Sequence, residues 1–359
     1  MEEVNMNQLK LSDLIPDRKR VGKYYYSKCP FHKSEALTLL SKEDEFACLV
    51  CGASGDAAEY MARMCNVTRD EVLRDQGLLP EREKVPERVY HALQEAEEYF
   101  EWWLQSKGKY GEEARKYLEG RKISPETQKK FHLGLAPKYG DYLHSRMIES
   151  HYTNEELLEG GLIKEDPESG DYLDRFWGRL MIPIHDEFGK VIGFGGRIMD
   201  GNKSVAKYMN SPESPVFQKR ENLYAFDLAK SSKQGFLILC EGYMDVISMH
   251  QSGFTNAVAS LGTALTEEQV NLMKMHVNRV VIMYDSDDAG INAAIKAVKH
   301  LRSAGIQTKV CNYSAYGKDP DEVLKTHGRQ AMIEILKKSE SGTSFLLRHC
   351  TANEALDNC

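Results

Sequence analysis

Two apolar runs in the second half of the chain predict neighbouring strands of a buried sheet. The first covers 236–240 (FLILC) and the second covers 279–284 (RVVIMY). Their length and their content of Val, Ile and Leu are typical of buried parallel strands, and helical patterns follow from Val246 and from Ala289. A third candidate strand, TKVC at 308–311, comes next. Strands and helices that alternate in this way predict a parallel sheet.

The pattern between 87 and 130 predicts helices. The first is expected from 87 to 106, because apolar residues recur on one face at helical spacing. That face consists of Val89, Leu93, Ala96, Phe100, Trp103 and Leu104. We expect Trp102 and Trp103 to pack in the core or against another subdomain rather than to stack on a nucleotide. Two more helices are expected, one around 114–118 and one that begins after Ser124, which precedes a proline and suits an N-cap.

A hairpin and a linker complete the coarse pattern. Strands are predicted at 180–184 and 190–197, joined by the turn 186–189. The glycines of the second strand do not form a dinucleotide-binding motif and favour close strand packing or a bulge. The charged, proline-bracketed stretch 81–86 is typical of a linker. A last helix is expected at 329–338.

Acidic residues follow each predicted strand of the parallel sheet. Glu241 follows the first strand, Asp285 and Asp287 follow the second, and Asp319 and Asp321 follow the third. The carboxyl ends of parallel strands meet at one edge, where open α/β sheets bind ligands. Crowded carboxylates favour a cation such as Mg²⁺, which keeps positions for phosphate oxygens. One such cluster would indicate a turn, but three in succession favour a metal site for phosphoryl transfer.

Four residues near the N-terminus have the spacing of a zinc site. They form two pairs, Cys29 with His32 and Cys48 with Cys51, each separated by two residues. Three thiolates and one imidazole suit a closed, structural, tetrahedral Zn²⁺ site. Chance pairing of buried cysteines is the alternative, and two pairs at this spacing argue against it. The stretches 37–40 and 45–48 are predicted to form two strands of a ribbon around a turn at 41–44.

Tyrosines and cations alternate beside the predicted zinc site. Three consecutive tyrosines, 24–26, have basic neighbours. These neighbours are Arg18, Lys19, Arg20, Lys23 and Lys28. Such a mixture suits single-stranded DNA, through backbone charge and base stacking. An ordinary strand with a solvated basic flank explains the pattern equally well.

Composition narrows the class of protein. The 359 residues allow two or three domains, and 42% hydrophobic with 28% charged residues is ordinary for a soluble chain. We expect a cytoplasmic protein, since no apolar run approaches the ~20 residues that span a bilayer and the first ten residues lack a leader pattern. The net charge of −7 argues against strong, non-specific nucleic-acid binding. Between 171 and 235, however, ten Lys and Arg outnumber eight Asp and Glu.

The acidic motifs resemble a known family. EGYMD at 241–245, DSD at 285–287 and DPD at 319–321 resemble the Toprim domain of primases, topoisomerases and some nucleases. Together with SLGTALTE at 260–267 and the CPFH and CxxCG pairs, they look like the bacterial DnaG-type DNA primases, over roughly residues 20–335. Four features depart from that family: Ser286, Asp288, Trp177 in place of an arginine, and KSEAL at 33–37.

The resemblance implies an α/β (α+β) fold in several parts. These are a zinc-ribbon DNA-binding domain at 1–80, the linker at 81–86, the N-terminal subdomain of a polymerase domain at 87–235, a Toprim metal-binding subdomain at 236–325 and a short helical tail at 326–359. The family's C-terminal helicase-binding domain is not matched, and no phosphate-binding loop motif occurs, so a primase–helicase fusion is not expected. The short form is similar to primases encoded by phages, and a shortened version of a longer primase is the alternative.

The resemblance also implies a function. The chain would synthesise short RNA primers from ribonucleoside triphosphates on single-stranded DNA, beside a replicative helicase, in a bacterial or phage-infected cell. The implied Mg²⁺ or Mn²⁺ ligands are Glu241, Asp285, Asp287, Asp319 and Asp321, with Glu241 as either a ligand or the catalytic base. The implied nucleic-acid and nucleotide contacts are Arg175, Arg197, Lys207, Asn210 and Lys219.

Two other functions fit the same residues. A Toprim nuclease would use the same carboxylates to cleave rather than to join, whereas a topoisomerase would need a tyrosine nucleophile in a further domain. A non-catalytic replication protein would bind DNA through the zinc ribbon alone. The complete acidic set argues against this last alternative.

Overall fold

The computed structural model describes residues 10–349, except 16, 33–36, 42–44, 49, 66, 68, 70–71, 74–86, 139, 202–203 and 263. The chain divides into two compact units, Met1–Lys84 and Val85–Cys359. The predicted linker 81–86 and the cysteines at 350 and 359 lie outside the described residues. In the part of the chain described, no helix is both long and apolar enough to cross a membrane.

The first unit is built on a small antiparallel sheet, and two helices are given bounds among its described residues. Its elements are α1 (Leu11–Leu14), β1 (Lys19–Val21), β2 (Tyr24–Lys28), β3 (Leu37–Ser41), β4 (Phe46–Cys48), β5 (Ser54–Gly55) and α2 (Ala57–Cys65), with the strands adjacent in chain order. The two predicted ribbon strands are confirmed as β3 and β4, which pair antiparallel. The strand alternative for the tyrosines 24–26 is confirmed as β2. The sequence pattern did not predict β1 and β5, because three and two residues carry no usable periodicity. Three rings, those of Phe31, Phe46 and Tyr60, pack with centroids 5.3–5.8 Å apart.

The second unit begins with helices that pack on an antiparallel sheet. The helices are α3 (Glu87–Gln105), α4 (Lys109–Gly120), α5 (Pro125–Lys130), α6 (Tyr142–Glu149), α7 (Asn154–Glu159) and α8 (Phe226–Ala229). The strands are β6 (Gly134–Ala136), β7 (Ile163–Glu165), β8 (Tyr172–Asp174), β9 (Arg179–His185), β10 (Val191–Ile198) and β11 (Tyr208–Asn210). The main sheet has the order β11-β10-β9-β6, and β7 pairs with β8.

The sequence predicted most of this region. The helix at 87–106 is confirmed as α3, and the N-cap at Ser124 is confirmed because its hydroxyl accepts the Thr127 N–H at 3.2 Å. The hairpin is confirmed as β9 and β10, with a register irregularity between 191 and 193. Core packing is wrong for Trp102, whose side chain is 62% exposed because it lies on the outer face of α3. Trp103 packs against the core as predicted.

A second, mainly parallel sheet follows. Its strands are β12 (Leu237–Cys240), β13 (Ala257–Ala259), β14 (Arg279–Met283), β15 (Gln307–Val310) and β16 (Glu340–Ser341), in the order β13-β12-β14-β15-β16. Its helices are α9 (Tyr243–Gln251), α10 (Glu267–His276), α11 (Asp288–Ser303), α12 (Pro320–Lys337) and α13 (Gly342–His349). The three predicted strands β12, β14 and β15 are confirmed as parallel neighbours. The edge strand β16 pairs antiparallel with β15 and was not predicted.

Two apolar layers hold this sheet in place. On one side, a buried cluster extends from the antiparallel sheet and α3, through residues such as Phe100 and Phe194, to Met244 of α9. On the other side, Leu239 and Ile282 pack with α11 and with Phe345 of α13. The α/β architecture predicted from the sequence is therefore confirmed. One helix differs in detail: α12 begins at Pro320 and kinks at Gly328 (φ 74°), so the predicted 329–338 helix is its second half.

Candidate active site

The carboxyl ends of β12 and β14 bring the first acidic residues together. The two strands are in register, with Cys240 opposite Met283. Glu241 comes directly after β12 and Asp285 comes two residues after β14, and the Asp285 N–H donates to Oε1 of Glu241 at 3.0 Å. Burial and the nearby charge of Asp285 raise the pKa of Glu241. Burial and the charge of Asp319 likewise raise the pKa of Asp285. The Ser286 N–H donates to the Lys318 carbonyl at 2.9 Å, which places the residue before Asp319 against the DSD turn.

A lysine lies between the carboxylates of the DSD motif. Nζ of Lys318 is 2.9 Å from Oδ2 of Asp287 and 3.4 Å from Oδ2 of Asp285. Hydrogen bonds from the Gly290 N–H and from Lys318 lower the pKa of Asp287. Among the described residues, no three of these carboxylates bring oxygens within 4.8 Å of one another. The donor set is nevertheless all oxygen and already surrounds a cationic group, so it fits a hard divalent cation.

Two of the carboxylates also cap helices. Oδ1 of Asp287 accepts the Gly290 N–H at 3.0 Å at the start of α11, and Oδ1 of Asp319 accepts the Glu322 N–H at 2.7 Å at the start of α12. These bonds fix the orientation of both side chains. The first turn of α11 also needs a glycine at 290, since a Cβ there would lie 2.1 Å from the Asp285 carbonyl oxygen.

Asp321 has a different environment from the other predicted ligands. Its side chain is 9% exposed, and Oδ2 lies 2.7 Å from Nη1 of Arg121 and 2.5 Å from Nζ of Lys325. The hydroxyl of Ser248 donates to Oδ1. The structure therefore surrounds Asp321 with two cations and a hydroxyl group, apart from the carboxylates that contact Lys318. Arg121, 200 residues away in the chain, carries no sequence signal that would predict this contact.

Asp245 is an acidic residue that the sequence reasoning did not assign. It is the last residue of the 241–245 motif and lies in the first turn of α9, with 8% exposure. Its Oδ1 accepts the Asp321 N–H at 3.3 Å. Burial and the charge of Asp319 raise the pKa of Asp245 to about 8. Its place in the 241–245 motif is the sequence signal that could have identified it as a site residue.

Asn210 is held against the parallel sheet by two contacts. Its Oδ1 accepts the Tyr243 hydroxyl at 2.9 Å, and its Nδ2 donates to the Leu261 carbonyl at 3.2 Å. The Tyr243 ring lies over β10, where a Cβ at Gly195 would be 2.9 Å away, which explains a glycine at that position. The predicted nucleotide contact Asn210 is thus joined to the helix that follows Glu241.

The predicted basic contacts differ in exposure. Lys207 is exposed beside the Tyr208 ring. Lys219 is half-buried, and its backbone carbonyl accepts a hydrogen bond from Nε2 of Gln269 at 2.9 Å. Arg175 is half-buried, and its Nε has no hydrogen-bond partner within the described part of the chain. Arg197 is only 6% exposed and donates to the hydroxyls of Tyr117 and Tyr208. The indole of Trp177, two residues after Arg175, is 54% exposed.

The four predicted zinc ligands converge in the first unit. Their ligand atoms lie within 4.8 Å of one another, with Sγ of Cys29 3.8 Å from Sγ of Cys51 and Nε2 of His32 3.1 Å from Sγ of Cys48. Two thiolates bound tetrahedrally to one zinc ion are about 3.8 Å apart, which matches the Cys29–Cys51 spacing. Although burial opposes it, backbone N–H groups of residues 51 and 50 lower the pKa of Cys48 to about 6. The arrangement fits a structural zinc ion with four protein ligands.

Beside the zinc ligands, the tyrosine rings contact cations of the same unit. The guanidinium carbon of Arg18 lies 4.2 Å from the Tyr25 ring centroid, and Nζ of Lys23 lies 5.3 Å from that of Tyr24. Residues 24–26 belong to β2 and are half-buried. Both alternatives drawn from the sequence remain compatible with this strand.

Comparisons with known proteins cover most of the chain. Three family models match: a CHC2 zinc finger at residues 2–77, the N-terminal domain of the DNA primase catalytic core at 99–230 and a Toprim-like domain at 238–324. The DNA primase of Clostridium acetobutylicum is 36% identical over 95% of this chain. The chain spans only 59% of the length of that relative.

Solved structures agree with these matches. The crystal structure of the zinc-binding and RNA polymerase domains of the Aquifex aeolicus primase is 34% identical, has a TM-score of 0.67 and covers 98% of this chain and 88% of that one. A DnaG primase catalytic domain bound to single-stranded DNA is 31% identical, with a TM-score of 0.66 over 73% of this chain and 82% of that one. The chain therefore belongs to the DnaG-type family of DNA primases.

Proposed function

We propose that the chain is a nucleotidyltransferase that synthesises short RNA primers on single-stranded DNA. The observations that support this most directly are the hydrogen bond between Asp285 and Glu241 and the contacts of Asp285 and Asp287 with Lys318, the residue before Asp319. They lie at the carboxyl edge of a Toprim sheet, in a chain of the primase family. A related catalytic domain has been solved with single-stranded DNA, which supports the same template here.

These four carboxylates are the proposed holders of Mg²⁺ or Mn²⁺. When bound, such ions neutralise the triphosphate and polarise the phosphorus that the primer 3′-hydroxyl attacks. Glu241 is the group suited to hold or accept a proton, because burial and Asp285 raise its pKa. Asp287 and Asp319 present Oδ2, since Oδ1 of each is bonded to a helix N-terminus. Lys318 would balance the charge of the DSD motif when no metal is bound.

The other predicted residues receive separate roles. Lys207 and Lys219 would neutralise phosphates, and Asn210 would present a fixed amide beside α9. Arg175 is half-buried, and its guanidinium would bind an anionic group of the nucleotide or the template. For Arg197 and Asp321 we propose positioning roles, because both are buried in contacts with side chains of the same unit. Trp177 would stack on a base rather than bind a phosphate.

The proposed division of labour follows the domains. Residues 1–80 would hold template DNA through the zinc ribbon, 87–235 would bind template and nucleotide, and 236–325 would hold the metal ions. Partners would be ribonucleoside triphosphates and a replicative helicase, with an RNA primer as the product.

Primer synthesis tests the proposal. The protein is incubated with single-stranded DNA, labelled ribonucleoside triphosphates and Mg²⁺ or Mn²⁺, beside Asp285→Ala. Asp288→Ala is the matched control, since it removes an exposed carboxylate from the same turn. Wild type and the control should yield short RNA, and Asp285→Ala should yield none.

Two outcomes would contradict the proposal. Shortened template without RNA product would indicate a nuclease. Absence of turnover, with and without a replicative helicase, would indicate a DNA-binding accessory protein.

A further inference from the structure

A second group of metal-ligand side chains lies in the unit Val85–Cys359, away from the Toprim strand ends. Glu97 and Glu101 are four residues apart on α3 and therefore share one face. His132 follows α5, and His185 ends β9. Ligand atoms of Glu97, Glu101 and His132 lie within 4.8 Å of one another.

The contacts within this group are directional. Nδ1 of His132 lies 2.6 Å from Oε1 of Glu101 and 4.0 Å from Oε2 of Glu97. Nε2 of His185 lies 3.0 Å from the other oxygen of Glu97, Oε1. Glu97 is therefore oriented by one histidine while its second oxygen is directed toward the other histidine.

The charge balance of the group is negative. Glu97 is only 8% exposed. Glu101 adds a second carboxylate, 2.6 Å from the imidazole of His132. A buried carboxylate with further acidic neighbours favours a cation in addition to the imidazoles.

His132 adopts a backbone conformation that a β-carbon disfavours. Its φ is 50°, in the left-handed region, at the end of α5 where glycine is the usual residue. The chain thus places an imidazole beside two carboxylates at a position where glycine would fold more easily.

We propose that Glu97, Glu101 and His132 bind one transition-metal dication of the zinc class, with His185 orienting Glu97 by its hydrogen bond. Ligands of a zinc ion at about 2.1 Å lie about 3–4 Å apart, so small rotations of Glu101 and His132 would complete the site. A donor hydrogen-bonded to a ligand in this way is the usual support of protein metal sites. Mixed imidazole and carboxylate donors favour Zn²⁺ or Co²⁺ over Mg²⁺.

The three ligands join parts of the fold that are distant in sequence. The ion would tie α3 to the turn that leads into β6, and solvent would occupy the remaining position, since the side chains of His132 and Glu101 are 47% and 36% exposed. An ion that binds the folded unit and not the unfolded chain would raise the stability of the unit.

Metal uptake by the full-length protein tests this site. The ribbon keeps its zinc, millimolar Mg²⁺ fills the Toprim carboxylates, and the protein is dialysed against low micromolar Co²⁺ before elemental analysis. Wild type should take up one Co²⁺ per chain, with an absorption spectrum that lacks thiolate-to-metal bands. Glu101→Gln should bind at least tenfold more weakly, and Glu98→Gln, an exposed neighbour on the same helix, should bind as wild type does.

A second variant separates metal loss from misfolding. His132→Gly removes the ligand but suits the left-handed backbone, so it should unfold at or above the temperature of the metal-free wild type and bind no Co²⁺. Zn²⁺ should raise the unfolding temperature of wild type and leave that of His132→Gly unchanged. Undiminished uptake in His132→Gly, or no uptake beyond the ribbon ion in wild type, would overturn the proposal and leave a network of ion pairs.

Discussion

The Asp321→Asn substitution separates two roles for an acidic residue at the edge of the parallel sheet. Asp321 is 9% exposed and lies between Arg121 and Lys325, at 2.7 and 2.5 Å. Asparagine has nearly the same shape and retains an oxygen for Ser248. The change therefore removes charge and leaves two cations close to an uncharged amide.

The expected loss of stability follows from this geometry. Removing one partner of a buried ion pair costs about 3–5 kcal/mol. The side chains of Arg121 and Lys325 are 24% and 22% exposed, so partial solvation places the cost at the lower end, about 3 kcal/mol. For a unit of this size, that loss would lower the urea midpoint on the order of 1 M.

Tryptophan fluorescence reports the stability of the compact unit that contains Asp321. The three tryptophans, Trp102, Trp103 and Trp177, all belong to the unit Val85–Cys359, so their signal does not report the zinc ribbon. Unfolding is followed in urea without added divalent cation, and Mn²⁺ binding is titrated separately. Lys325→Met should lower the free energy of unfolding by less in the Asp321→Asn background than in wild type. In that background, it removes a cation that has already lost its anionic partner.

The opposite pattern would refute this reasoning. If Asp321→Asn leaves the urea midpoint unchanged but weakens Mn²⁺ binding tenfold or more, Asp321 is a metal ligand as the sequence suggested. If Lys325→Met costs the same in both backgrounds, the two side chains do not interact energetically.

Three further predictions concern other parts of the molecule. Burial raises the pKa of Asp174 to about 6, so between about pH 4 and 6 the folded state binds more protons than the unfolded state. The free energy of unfolding should therefore fall as the pH rises from about 4 to 6, and it should fall less in Asp174→Asn. Gly195→Ala should cost about 1–3 kcal/mol, measured by urea unfolding, because its Cβ would lie 2.9 Å from the Tyr243 ring. Cys48→Ala should abolish zinc uptake by residues 1–84, measured by elemental analysis, without moving the tryptophan unfolding transition.

Local patterns predicted the frame of the site. The runs at 236–240 and 279–284 carry their own apolar signal, and parallel pairing then places Glu241 beside Asp285. The zinc ligands were predictable for the same reason, since each pair lies within four residues of the chain.

Contacts between distant segments were not predictable in this way. Arg121 contacts Asp321 although 200 residues separate them, and the local sequence around either residue does not predict this contact. Trp102 and Trp103 have the same chemistry, and only the direction of α3 relative to the sheet decides that one is exposed. The strand β16 is two residues long, too short for any periodicity.

The double use of Asp287 and Asp319 as helix caps and candidate metal ligands constrains what can replace them. Each gives one oxygen to a helix N-terminus, so rotation about its χ angles is lost when the chain folds rather than when a ligand arrives. Glutamate carries the same charge, but it is a poor N-cap. Its longer side chain would therefore have to be ordered when the ligand binds. Aspartate is therefore the residue that lets a Toprim sheet keep its carboxylates oriented before the ligand binds.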